Sequence, residues 1–139
     1  MKQEKRNEDL RLATLKSIAG FLNASGGNLF IGVEEDKTGS ARISGIKADL
    51  NEMGGSRDRL QRLLRDLITE RIGPEFAPFI EEYFEETDEQ VCWVIVVGAA
   101  PEPAFVRWKG QPKFYVREGP KTSDLDNERT WRYIKNKWG

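Results

Sequence analysis

The chain has 139 residues, 38% hydrophobic and 32% charged, with a formal net charge of -1, one cysteine and no histidine. That length suits one hydrophobic core, so a single domain over residues 1–139 is expected. Ser-His and Cys-His triads, a histidine general base and histidine-bound zinc are excluded, and the lone Cys92 allows no disulfide or thiolate cluster within the chain.

No apolar run approaches the roughly 20 residues that span a bilayer. The opening MKQEKRNEDLRL also lacks the apolar stretch of a signal peptide. A cytoplasmic protein with no membrane partner is expected.

From Asn7 to Leu22, Leu15, Ile18, Ala19 and Leu22 recur at helical spacing and Leu12 extends the stripe, which predicts an amphipathic helix capped by Asn7. Glu8 and Asp9 suit its positive N-terminal end, and Gly26 can supply the left-handed residue that closes it. NLFIGV reads as a central strand and, after the polar turn EEDKTGS, ARISGI is its hairpin partner. ADLNEMGGSRD is a loop. Ser56 then caps a second helix carrying Leu60, Leu63, Leu64, Leu67, Ile68 and Ile72, closed by Gly73-Pro74.

The remainder is extended: FIEEYFEE, VCWVIVVG, AFVRWK and KFYVRE are short β-rich runs between turns. A last helix starts after Ser123-Asp124 and carries Trp131, Ile134 and Trp138. The order fits an α+β domain in which about three helices pack on a mixed or antiparallel sheet. Leu63, Leu67, Ile31, Val94 and Val96 are expected in its core.

Charge is distributed unevenly. Residues 81–90 hold six acids and no base, whereas residues 101–139 hold nine Lys or Arg against five acids. A shared basic face would track phosphates while the acidic end stays away.

The Asn23, Gly26, Gly27 corner lacks the Walker pattern, and it follows a helix where a nucleotide loop would precede one. A helix C-terminus repels phosphate, so the corner reads as a turning and packing device. Glu34, Glu35 and Asp36 are weak catalytic candidates, with Glu35 the best for Mg²⁺ or Mn²⁺, since carboxylate oxygens suit those ions. Strand alternation lets at most two of the three converge, and no cofactor is expected. FVRWKGQPKFYVREGPKT interleaves aromatics with cations, which nominates Arg107, Trp108, Lys109, Lys113, Arg117, Lys121 and Thr122 for nucleic-acid binding. Cations would meet phosphates and Trp108 would stack on an unpaired base.

LKSIAGFLNASGGNLFIGVEED, IGPEF, VCWVIVV and FYVREGPKT, in that order, resemble the Schlafen/AlbA-type DNA-binding domain, the Schlafen AlbA_2 family, from about Lys5 to Trp138. The resemblance implies a nucleic-acid-associated α+β fold and, for some members, a metal-dependent ribonuclease acting on transfer or ribosomal RNA. In those members two acids lie in an E-x-x-x-x-E-F-K-like stretch ahead of the helix and a third just after the strand that follows the Gly-Gly corner. Glu35 matches the third; the first two have no counterpart, because the sequence starts after the place of the family's E-x-K segment.

Three functions remain open. The first is a DNA- or RNA-binding module of a bacterial regulator or defence protein, non-catalytic in this form. The others are a Mg²⁺- or Mn²⁺-dependent endoribonuclease with an incomplete acidic site, and a protein-protein or dimerisation domain, as a homodimer or part of a larger assembly.

Overall fold

The computed structural model describes residues 2–35, 41–43, 56–88 and 90–139, with side chains from residue 8 onward except at 41 and 42. In chain order these residues form α1 (Lys2–Leu22), β1 (Gly27–Glu35), β2 (Ala41–Ile43), α2 (Arg57–Arg71), a 3-10 helix (Pro74–Phe79) and β3 (Ile80–Glu86). There follow β4 (Val91–Val97), β5 (Phe105–Trp108), β6 (Gln111–Glu118), β7 (Lys121–Leu125) and α3 (Asn127–Trp138).

The α+β architecture is as expected, but the strands make two antiparallel sheets, ordered β2-β1-β4-β3 and β5-β6-β7. α1 lies between them, meeting β1 and β4 on one side and β5, β6 and β7 on the other. α3 packs on the far face of the second sheet, where Tyr133 lies 5.8 Å from Phe114, centroid to centroid.

The α1 stripe behaves as its spacing dictates: Leu15, Ile18, Ala19 and Leu22 are all fully buried. The helix starts at Lys2 and not at the expected Asn7. α2 begins at the expected cap, where the Ser56 hydroxyl accepts from the Arg59 amide at 3.3 Å. It buries Leu60, Leu64 and Ile68, one row at i, i+4 and i+8.

The expected core needs correction at four residues. Leu63 and Leu67 flank the α2 row and are half-buried, lining a narrow apolar groove with Ile31 and Trp93. Ile31 and Val96 are half-buried too, Ile31 on the helix-facing side of the sheet and Val96 on the outer side. Val94 is buried. It lies on the outer side between Phe30 and Tyr83, apart from the main core.

Two elements were not anticipated. The Pro-containing PEFAPF winds into the 3-10 helix, and Lys121–Leu125 pairs with β6 as a strand. That pairing uses Ser123 and Asp124, so the last helix starts later. Its cap is Asp126, which accepts from the Arg129 amide at 2.8 Å.

Candidate nucleic-acid interface

The second sheet carries the basic-aromatic segment. Trp108 pairs with Gln111 across a two-residue turn in which Lys109 and Gly110 have φ of +52° and +79°. Two successive positive φ values match the right-handed twist of a tight hairpin. Across the turn, Arg107 faces Pro112 and Val106 faces Lys113, so Arg107, Lys109 and Lys113 gather within two residues of the tip.

The cations do not share one face. Cross-strand partners share a face and neighbours alternate, so Arg107 and Lys121 lie on the α3 side, with Lys113, Arg117 and Thr122 on the α1 side. The hairpin tip brings three cations together; Lys121 stands at the opposite end of β6.

Arg107, Lys109, Lys113 and Lys121 are exposed and make no ion pair among the described residues. Arg117 is instead built into the fold. Its guanidinium lies 5.2 Å from the Phe21 ring centre, and it donates to the Gly119 carbonyl at 2.9 Å and the Thr122 hydroxyl at 3.3 Å.

Trp108 is not the exposed stacking surface expected of it. It is half-buried against the core, and the Arg71 guanidinium lies 5.2 Å from its ring centre.

At the acidic end, the strand places Glu34 and Glu35 on opposite faces. Arg57 takes both oxygens of Glu35, Nε to Oε2 at 3.0 Å and Nη2 to Oε1 at 2.5 Å, and also pairs with Glu86. The hydrogen bond from Arg57 holds the Glu35 carboxyl below the usual carboxylate range. Asp36 lies outside the described residues. An open cleft of about 750 Å³ has Glu34, Glu35, Arg57, Glu86 and Asp88 on its walls.

Both Glu35 oxygens are thus engaged by a guanidinium, and no cluster of three possible metal ligands occurs among the described residues. Arg57 escaped the sequence reading because its acids are 22 and 29 residues away. No local spacing marks such a pair.

The glycine corner holds the two sheets in place relative to α1. Asn23 is fully buried. Its side-chain amide donates to the carbonyls of Ala104 and Tyr115, each at 2.8 Å, and its Oδ1 accepts from the Ala104 amide at 2.8 Å. Gly26 has φ +83°, and a Cβ there would meet the Val97 carbonyl oxygen at 2.6 Å.

α3 completes the corner. The Tyr133 hydroxyl donates to the Asn23 carbonyl, and Lys137 Nζ donates to the Ala24 carbonyl at 2.7 Å. The Ala100 and Gly26 amides take the Leu22 and Phe21 carbonyls at 2.8 and 2.9 Å. Carbonyls that a helix end leaves unpaired are thus occupied.

The profile of the family described as Schlafen, AlbA_2 matches residues 1–126. The chain belongs to this family. Membership points to a nucleic-acid-related role. Among solved structures, the chain is similar to the DIP2311 protein from Corynebacterium diphtheriae, at 26% identity and a TM-score of 0.55 over 94% of this chain. The match spans 20% of the DIP2311 chain. No curated protein matches. Among the described residues, no helix is long and apolar enough to cross a membrane.

Proposed function

We propose that this chain is a nucleic-acid-binding module of a bacterial regulator or defence protein, non-catalytic in this form, which meets DNA or RNA phosphates through the β5–β6 hairpin. The observation that carries the reading is the set of exposed hairpin cations Arg107, Lys109 and Lys113, which lack ion pairs among the described residues. Several arginines elsewhere are ion-paired: Arg57 with Glu35 and Glu86, Arg62 with Asp58, Arg129 with Asp126 and Arg132 with Glu128. Cations left without carboxylates can exchange their counterions for phosphates, which drives binding without sequence readout. Family membership supports the same reading.

A labelled panel of single- and double-stranded DNA and RNA, titrated at two salt concentrations, tests it. The triple reversal Arg107→Glu, Lys109→Glu, Lys113→Glu is expected to remove most of the affinity. It also flattens the log-log salt slope by roughly 2 to 3, at about 0.7 to 0.9 per lost phosphate contact. A folded triple variant that binds like the parent overturns the assignment. In a parallel arm, transfer RNA incubated with the chain and Mn²⁺ stays intact; cleavage that disappears in Glu35→Ala would replace this reading with the ribonuclease.

A further inference from the structure

No described element packs on the outer face of the four-stranded sheet. Register sets Phe30, Val94 and Tyr83 side by side there. Val94 is buried between two aromatics that are 61% and 50% exposed. A row of this kind differs from scattered surface apolar residues, because it is continuous and its two large rings face solvent together. Glu81 and Glu85 stand two residues to either side of Tyr83, so they share its face, and both are exposed.

Two exposed aromatics on an antiparallel sheet can stack on bases. Here the carboxylates of Glu81 and Glu85 beside Tyr83 repel phosphates, and register sets Arg42, on β2 at the other edge of this face, opposite Glu34. The chemistry suits a cationic protein surface with an aromatic anchor. The chain carries such a surface at its other end: on α3, Lys135 and Lys137 have no ion pair among the described residues, while Arg129 and Arg132 pair with Asp126 and Glu128. Its Trp131 is 61% exposed, and Lys135 Nζ lies 4.9 Å from that ring centre.

We propose that the outer sheet face of one copy receives α3 of a second copy, with Trp131 against Phe30 and Tyr83 and Lys135 against Glu81 and Glu85. A face-to-face pairing of two such sheets would set these carboxylates against their own kind, so the contact joins unlike surfaces. Such a contact is heterologous, and it continues head to tail unless the rotation closes a ring. The surface is separate from the hairpin cations, so the association and nucleic-acid binding stand or fall independently.

Sedimentation velocity of the full chain, over a concentration series at low and high salt, reads the association. The expected mass exceeds the 15.9 kDa of one chain, rises with concentration and falls with salt. Tyr83→Asp and Trp131→Asp each weaken association by about thirtyfold or more, the scale of losing a buried aromatic anchor. An equimolar mixture of the two gives a dimer that grows no further, because one partner keeps a working helix and the other a working sheet face.

If Tyr83→Asp fails to fold, the exposed reversal Glu81→Lys, Glu85→Lys is expected to break the same contact. A parent chain that stays monomeric throughout overturns the proposal. So does a folded variant that associates like the parent, a mixture that remains monomeric, or loss of oligonucleotide binding in Tyr83→Asp in a chain that never associates.

Discussion

Replacing Asn23 with alanine strips the corner of its three side-chain hydrogen bonds while removing little apolar contact. One amide and two carbonyls, on Ala104 and Tyr115, lose their side-chain partner. Both residues are buried, at 0% and 5% exposure. Each orphaned buried group costs about 1 to 3 kcal/mol, and a water entering the vacated space recovers part of the sum. A net loss of about 3 to 5 kcal/mol is expected, a large share of the roughly 5 to 15 kcal/mol that stabilises an ordinary domain. Urea denaturation followed by tryptophan fluorescence measures it.

Asn23→Asp sharpens the test. The carboxylate keeps the acceptor for the Ala104 amide but turns a second oxygen toward two carbonyls. Burial and repulsion raise the folded-state pKa of this carboxyl above its unfolded value. The folded variant therefore holds its proton more tightly, and its stability falls as pH rises through the carboxylate range. A loss below about 1 kcal/mol in Asn23→Ala, within the range of a single ordinary hydrogen bond, refutes the view that this side chain fastens α1 to the second sheet.

Two further outcomes follow from packing and burial. Leu64→Ala, at a buried position of α2, is expected to cost about 2 to 5 kcal/mol, and half-buried Leu67→Ala distinctly less; equal losses in urea melts would contradict the assigned helix face. Glu82 has its pKa raised by burial, against opposing pulls from the Trp93 indole, which donates at 2.7 Å, and from Arg65. A raised folded-state pKa means stability is lost as pH climbs from the unfolded carboxylate value through the folded one. Glu82→Gln removes that slope, so its stability relative to the parent improves with pH; parallel profiles from pH 3.5 to 8 would show that Glu82 is not the source.

The helices were legible because their burial is periodic: Leu15, Ile18, Ala19 and Leu22, or Leu60, Leu64 and Ile68, record the inward face at fixed spacing. The division into two sheets was not, since strand partnership depends on contacts that spacing cannot encode. Leu29, Phe30 and Ile31 are apolar in succession with no alternation, which hid the outward exposure of Phe30 between its half-buried neighbours. Lys121–Leu125 is polar throughout apart from its last residue and showed no strand pattern, although β6 pairs with all five positions. The cations of the candidate site were visible as residues, but their split over two faces emerges only from register. The carboxylates were visible in the sequence, but the arginine that reaches Glu35 was not.

The bonds at Asn23 also bear on how the chain folds. Its partners lie 81, 92 and 110 residues further along the sequence. Contacts that distant close large loops and incur their entropy before they return any stability. The corner therefore forms late, after β5, β6 and α3 exist to receive it, and it welds the start of the chain to its end. Amide protons paired there, such as that of Gly26 on the Phe21 carbonyl, should exchange only when the whole molecule opens, although they sit at a turn where fraying is ordinarily fastest.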